Sequence, residues 1–460
     1  MFDKQVYIER RKKLKNNISS GIILLLGNEL SPINYSDNTY RFRQDSTFLY
    51  FFGINIPSLA AIIDVDTDQE IIFGNRQTID SIVWTGKLTE VDEYALLCGV
   101  DNVMPLSDLT KVLNQTSSGR RLIHYLPPYR PENKIKLHHL LNLSIYNVEA
   151  NYSIELVKSV VRLREIKSNE EIIEIEKAVN LSIDMHRAAI KMVAPGMLES
   201  EIAAEVNRIP FSIGCETAFP AIATVKGQIL HNHSYNNVLK EGDLFLLDAG
   251  AELQSGYAGD LSSTFPVSKK FTLQQAEIYS LSLLVHETAK KMLSPNVSFK
   301  DVHIETCKTL VEGLKEIGLM KGDIDEAVQS GAHALFFPCG IGHMLGLDVH
   351  DMEDMGEEWV GYDGISKSNQ FGLKSLRLGK QLKCGFVLTI EPGIYFIPHL
   401  IEKWESERIC EKFLNYNEIS KFRNFGGIRN EENLLITEKG ARLLGKPFNK
   451  TIDEIEIMRT

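Results

Sequence analysis

LFLLDAGAELQSGYAGDLSSTF, residues 244–265, is the stretch on which the fold turns. Two apolar, strand-like runs flank Gln254, Ser255 and Gly256, which predicts a β-hairpin with its turn there. Residues opposite one another in a hairpin share a face, so Asp248 and Asp260 can point at one centre. The ordinary alternative is a pair of aspartates that merely cap strands. What the rest of the chain places around them decides between the two.

Three later phrases supply the company: GIGHMLGLDVHD at 340–351, LTIEPGIYF at 388–396 and GGIRNEENLLIT at 426–437. Singly, their polar residues would be strand ends, solvated loops or structural histidines. Together, Asp248, Asp260, His343, Glu391 and Glu431 are five hard ligands beside apolar sequence, where an unpaired carboxylate is costly unless it meets a cation. Four carboxylates and one imidazole suit two divalent cations, Mn²⁺ before Co²⁺ or Zn²⁺. Two such ions sharing carboxylates generate hydroxide at neutral pH, so the chemistry expected is hydrolysis.

Arg429 and Glu431 stand two apart and share a strand face, whereas Glu432 points the other way. That selects Glu431 as the ligand and lets Arg429 neutralise excess carboxylate charge. His343 and His350 fit a turn followed by a strand or loop, and Gly340, Gly342 and Gly346 allow the backbone close approach. One of the two histidines can bind metal and the other can donate to a developing oxyanion, although His350 also reads as an ordinary structural histidine. In ILHNHSYNN, at 229–237, His231 or His233 is a further candidate donor.

A chain of 460 residues exceeds one ordinary core and fits two domains. Its net charge of -11 and lack of a basic stripe argue against nucleic acid as a partner. The start, MFDKQVYIERRKKLKNN, is charged and amphipathic, and apolar runs such as IILLL at 22–26 are too short to span a membrane, so a cytoplasmic protein is expected. Six cysteines, Cys98, Cys215, Cys307, Cys339, Cys384 and Cys410, show no paired spacing and read as reduced thiols.

From Ile22 to about Val148, β-rich runs (GIILLLG, LAAIIDVD, QEIIFG, RLIHYL, NLSIYNV) alternate with helical stretches, as in an α/β domain with a mixed sheet. Ser168 and Glu171 form a capping box ahead of a helix that Pro195-Gly196 ends. The domains expected are therefore 1–160 and 161–460, the second an α+β domain whose antiparallel strands carry the ligands.

Taken in order, LHNH, LLDAG, GD, GHMLGLDVHD, TIEPGIY and GIRNE resemble the Xaa-Pro metallopeptidases of the pita-bread fold, the group of prolidase and aminopeptidase P. YRFRQDSTFLYFFG, at 40–53, is similar to the creatinase-like N-terminal domain of the same group. The resemblance implies hydrolysis of the bond between a first residue and a following proline in di- or oligopeptides, by a homodimer. By position, Asp248 would bind one metal, Asp260 and Glu431 would bridge, and His343 and Glu391 would hold the second. A hydroxide bridging the ions would attack the carbonyl, Glu391 would shuttle the proton, His231 and His350 would stabilise the intermediate, and Arg429 would brace the carboxylates. Trp84, in VWTGKL, resembles an aromatic that walls the site in some relatives, although a core Trp is the plainer reading. QFGLKSLRLGKQL, at 370–382, resembles the prolidase segment whose basic residue, here Arg377, grips the free carboxylate of a dipeptide.

The chain departs from the pattern twice. Asp248 to Asp260 is one residue longer than usual, and a slip of one residue would turn Asp260 to the wrong face unless the turn or a bulge absorbs it. Cys339 in FPCGIGH stands where relatives have a histidine, which implies a slower or oxidation-sensitive enzyme. The rival readings are aminopeptidase P on longer peptides, a metal-free creatinase-type hydrolase and a non-catalytic pita-bread binding protein. The last two would be expected to lose ligands, and all five are present.

Overall fold

The computed structural model describes residues 1–117 and 121–460. The chain divides into two compact units, Met1–Arg164 with Met352–Trp359, and Glu165–Asp351 with Val360–Thr460.

In the first unit five strands lie in the order Asn102–Met104, Gln69–Phe73, Ala60–Asp64, Ile22–Leu26, Ile123–His124. The inner three pair antiparallel and the outer two parallel, which is the mixed sheet expected. IILLL and AAIID are buried along nearly their whole length rather than alternately, because both faces of the sheet are covered. Ile22, Leu24, Ile62 and Phe73 pack with Leu113 and Leu137 in one core. Arg11, fully buried, donates to the carbonyls of Phe51 and Cys98 at the ends of two short helices. Those carbonyls have no partner inside their own helices, so the guanidinium satisfies what the helix ends leave open. NLSIYNV, expected as a strand, is instead entered by the helix Ile145–Ala150. Ser144 accepts from the Asn147 amide as its N-cap, and Val148 alone is buried, so one face rather than alternate residues meets the core.

The second unit carries long helices, Asn169–Met192, Glu199–Phe211, Leu273–Met292 and Phe299–Glu316, and small antiparallel sheets. The capping box at Ser168 and Glu171 is present. Strand Leu244–Asp248 pairs with Ser262–Pro266 on one side and Ile222–Thr224 on the other. From the long first helix, His186 reaches this hairpin: Nε2 donates to the Ala249 carbonyl at 3.0 Å and Nδ1 accepts from Ser263 Oγ at 2.9 Å. Burial holds this imidazole down to about 3, so it stays neutral and both bonds persist at ordinary pH. Among the described residues, no helix is long and apolar enough to cross a membrane.

The hairpin keeps one register throughout. Leu244 faces Pro266, Asp248 faces Ser262, and the same alignment continues to the bridge between Glu252 and Ala258. Three residues, Gln254, Ser255 and Gly256, form the tip; Gly256 bonds back to the Leu253 carbonyl at 2.8 Å and takes φ of 86°, the left-handed conformation that a glycine supplies without strain. The extra residue is therefore absorbed at the tip, and the strands never slip.

Below the tip the strands touch at Gly250, where a Cβ would lie 1.8 Å from the Gly259 carbonyl oxygen. Backbone cannot give way as a flexible side chain can. Gly250→Ala is expected to cost about 3 kcal/mol or more in denaturant unfolding, as overpacking against a rigid neighbour does. It should also lower bound metal, because the hairpin that carries both aspartates must shift; unchanged stability and metal content would contradict this packing.

Candidate metal centre

Asp248 closes its strand, and its partner across the ladder is Ser262. Asp260 lies two residues before Ser262, so it shares the face of Ser262 and thereby that of Asp248. The ladder bond from Gly259 N to Ala251 O, at 2.9 Å, shows that the alternation survives beyond the assigned strands.

Glu391 and Glu431 are placed differently from the continuous strands expected. LTIEPGIYF forms two strands, Val387–Ile390 and Gly393–Tyr395, and GGIRNEENLLIT forms Gly427–Arg429 and Glu432–Thr437. Ile390 pairs with Glu432 and Gly393 with Arg429, so in the same register Glu391 falls opposite Glu431 at the break. The ladder breaks because their amides are used elsewhere: Glu391 N donates to Ile341 O at 2.8 Å and Glu431 N to Ser262 O at 3.0 Å. Facing like charges would ordinarily be destabilising. Alternation nevertheless holds around the break, since Arg429 and Glu431 line the cavity and Glu432 pairs with Lys290 at 2.8 Å.

His343 enters beside these acids. Its Nδ1 donates to the Met344 carbonyl at 3.0 Å, which leaves the Nε2 lone pair 3.3 Å from Glu391 Oε1 and 3.5 Å from Asp260 Oδ2. A lone pair aimed at two carboxylate oxygens is the arrangement a cation requires. Among the described residues, Asp248 Oδ1, Asp260 Oδ1 and Glu431 Oε1 are buried without a hydrogen-bond partner. Burial first, and then the neighbouring carboxylate charges, push the Asp260 and Glu431 carboxyls well above the usual range. Ligand atoms of Asp260, His343 and Glu431 all lie within 4.8 Å of one another. This donor set fits hard divalent cations.

One cation is built in. Arg429 donates from Nη2 to Asp248 Oδ2 at 2.6 Å, from Nε to Ser262 Oγ at 2.9 Å and from Nη1 to the Tyr395 hydroxyl at 2.9 Å. Ser262 in turn donates to Glu431 Oε2 at 2.8 Å. Asn433 holds Asp260 by its backbone, and the buried Lys450 ammonium donates to the carbonyls of Ser262 and Glu431. Ser262, Tyr395, Asn433 and Lys450 were missed in the sequence. The strand alternation pointed to the first through Asp260, but Lys450 lies in KPFNKT with no local signal.

The cluster opens into a cavity of about 590 Å³. His231, His233, His350 and Arg377 line it, with an apolar side formed by Phe219, Pro220, Ile222 and Leu230. His231 and His233 are exposed, and the His350 ring lies edge-on to His343 with centroids 4.2 Å apart. Trp84 sits in the helix Ile79–Thr85 of the first unit and is 87% exposed, so it is not a core residue. Cys339 lines the cavity, with its thiol pushed up to about 12, first by poor access to water and then by the Glu391 charge.

The fold and the site define a metal-dependent hydrolytic enzyme on a pita-bread scaffold preceded by an α/β domain. The chain belongs to Metallopeptidase family M24, which it matches over residues 174–438, and residues 7–124 match the Aminopeptidase P, N-terminal domain. It is 30% identical to the human Xaa-Pro dipeptidase over 99% of this chain and 92% of that protein. It is also 30% identical to the Xaa-Pro aminopeptidase of Escherichia coli K12, over 99% and 97%. Among solved structures, Zn-substituted E. coli aminopeptidase P in complex with product aligns with a TM-score of 0.81 at 27% identity, covering 99% of this chain and 98% of that one. The aminopeptidase PepP of Pseudomonas aeruginosa aligns with a TM-score of 0.82 at 26% identity and the same coverage.

Asp260→Ala is expected to lose bound metal and activity together, because its carboxylate faces both His343 and Asp248. Ser262→Ala, which removes the hydroxyl that bonds Arg429 and Glu431, should cost about 10–100-fold in metal affinity or activity. Metal content by mass spectrometry and turnover with added Mn²⁺ check both; an Asp260→Ala protein that keeps its full metal complement would remove Asp260 from the ligand set.

Proposed function

We propose that this chain is a metal-dependent exopeptidase that cleaves the bond between a first residue and a following proline, and that dipeptides are its preferred substrates. Membership of a metallopeptidase family and the likeness to both Xaa-Pro dipeptidases and Xaa-Pro aminopeptidases support the bond that is cut. Those two activities occur among relatives at the same identity. The preference for dipeptides rests instead on Arg377, whose side chain lines the same cavity as the five ligands.

Asp248, Asp260, His343, Glu391 and Glu431 would hold two divalent cations, proposed as Mn²⁺ from the oxygen-rich donor set. When bound, the ions supply Lewis acidity that activates water and polarises the scissile carbonyl. The remaining work falls to the chain's own groups. Arg377 takes the free carboxylate of the dipeptide in a charge-assisted pair and sets the register of the substrate. Phe219, Pro220, Ile222 and Leu230 shed water around the proline ring, which fixes the backbone and leaves the imide nitrogen without hydrogen. His231 and His350 donate to the carbonyl oxygen as it gains charge. Glu391, partly open to the cavity, receives a proton and returns it to the leaving proline nitrogen. Arg429 keeps Asp248 and Ser262 in place and stays out of the reaction.

Turnover of an Xaa-Pro dipeptide and an Xaa-Pro-Yaa tripeptide, each with Mn²⁺, tests the reading. The dipeptide should be the better substrate. Arg377→Ala is expected to lower kcat/KM on the dipeptide by roughly 100-fold, the loss of one charge-assisted bond in a sheltered site, and to affect the tripeptide less. Equal losses on the two would exclude Arg377 as the carboxylate clamp, and a tripeptide preference in the unaltered chain would make it an aminopeptidase.

A further inference from the structure

A second group of ligand-type side chains lies in the same unit and shares no residue with the carboxylate cluster. His303 and Cys307 are four residues apart in the helix Phe299–Glu316, so they sit one above the other on one face. His333 comes from the short 3-10 turn Ala332–Leu335. All three are completely buried, and one ligand atom from each lies within 4.8 Å of the others. Cys307 Sγ is 3.6 Å from His303 Nε2.

What sets this group apart is unused polarity. Among the described residues, His333 has no hydrogen-bond partner at either ring nitrogen, and His303 has none at Nδ1. Buried imidazoles ordinarily find partners for both nitrogens, since an unmet donor or acceptor loses its water for nothing. The neighbouring aromatic ring of Phe337, 5.4 Å from that of His303, offers none. Burial also keeps both imidazoles neutral, holding His303 down to about 3 and His333 to about 4, so their lone pairs are available at neutral pH.

We propose that His303, Cys307 and His333 form a second metal site, independent of the carboxylate cluster, which takes one thiophilic d¹⁰ cation, Cu(I). One thiol and two imidazoles are soft and borderline donors, and without oxygen ligands the site has nothing to hold Mn²⁺ or Mg²⁺. Charge then separates the thiophilic ions. Binding exchanges the thiol proton, which leaves to solvent, for the metal on the resulting thiolate. Cu(I) with one thiolate and two neutral imidazoles carries no net charge, whereas Zn²⁺ would leave one positive charge enclosed without a counter-ion, which a buried site resists.

The test uses the full chain with Cys339, Cys384 and Cys410 changed to Ser, because those less buried thiols would take copper adventitiously. Protein from copper-supplemented cells, then equilibrated anaerobically with Cu(I) in a competing chelator, should hold one copper per chain beyond the ions of the carboxylate site. X-ray absorption should show one sulfur and two nitrogen neighbours. Cys307→Ser and His333→Leu should each abolish this copper while the folded protein still takes up Mn²⁺; should one variant fail to fold, the other carries the same reading. No copper in excess, or copper unchanged in either folded variant, overturns the site. A parallel competition with Zn²⁺ separates the ions: one Zn²⁺ bound in preference upholds the ligands and overturns the charge argument.

Discussion

Like charges brought together out of water govern the second unit. Asp248, Asp260, Glu391 and Glu431 converge on one point, and two of them lie opposite each other where a ladder breaks. Each pair of carboxylates 4 Å apart repels by about 4 kcal/mol at an effective dielectric near 20. Arg429 answers only part of this, and in doing so it ties the two β-ribbons: its side chain reaches Asp248 and Ser262 on one and Tyr395 on the other. The guanidinium suits that task because its planar fork offers several fixed donors with one charge. The remaining repulsion is the reason the site fits cations and would otherwise have to hold protons.

The supporting structure serves the same constraint. His186 pins the hairpin from the long helix Asn169–Met192, Asn433 fixes Asp260 through its backbone, and Lys450 bonds the carbonyls beside Glu431. Lys450 follows the strand Gly440–Leu443, and its bonds make that segment part of the scaffold of the carboxylate cluster. Its enclosure is severe enough to hold the ammonium down to about 8, first by desolvation, and the carbonyls it meets keep it in place.

The grouping of these side chains could be read from sequence because strands have a period of two. That rule placed Asp248 with Asp260 and Arg429 with Glu431, and it worked even where the expected single strands proved to be pairs of short ones, since the register carries across the break. The breaks themselves were not legible: they depend on amides of Glu391 and Glu431 bonding to Ile341 and Ser262, contacts between segments distant in sequence. NLSIYNV, at 142–148, reads as a strand because a seven-residue segment shows too few periods to separate one buried face from alternation, and the helix that enters it begins only after Ser144. Trp84 was an inference from likeness alone, and no spacing supported it. The His303, Cys307 and His333 group was invisible for a different reason, because two members share a helical face but the third arrives from a separate turn.

Chemistry and specificity are divided between kinds of structure. The acids and Arg429 are carried on or between paired strands, where register fixes them to within a fraction of a residue. Cys339, His350 and Arg377 lie on irregular segments outside any strand. Loops tolerate change more readily than paired strands and still place side chains in a shared cavity. A chain can therefore retain the hydrolytic centre and alter the length of peptide it accepts by changing only those segments. Identity to a dipeptidase and to an aminopeptidase is the same, 30%, over nearly the full chain. Under the proposed reading, the choice between them would rest on Arg377 and the loop that presents it, which lie outside the carboxylate cluster.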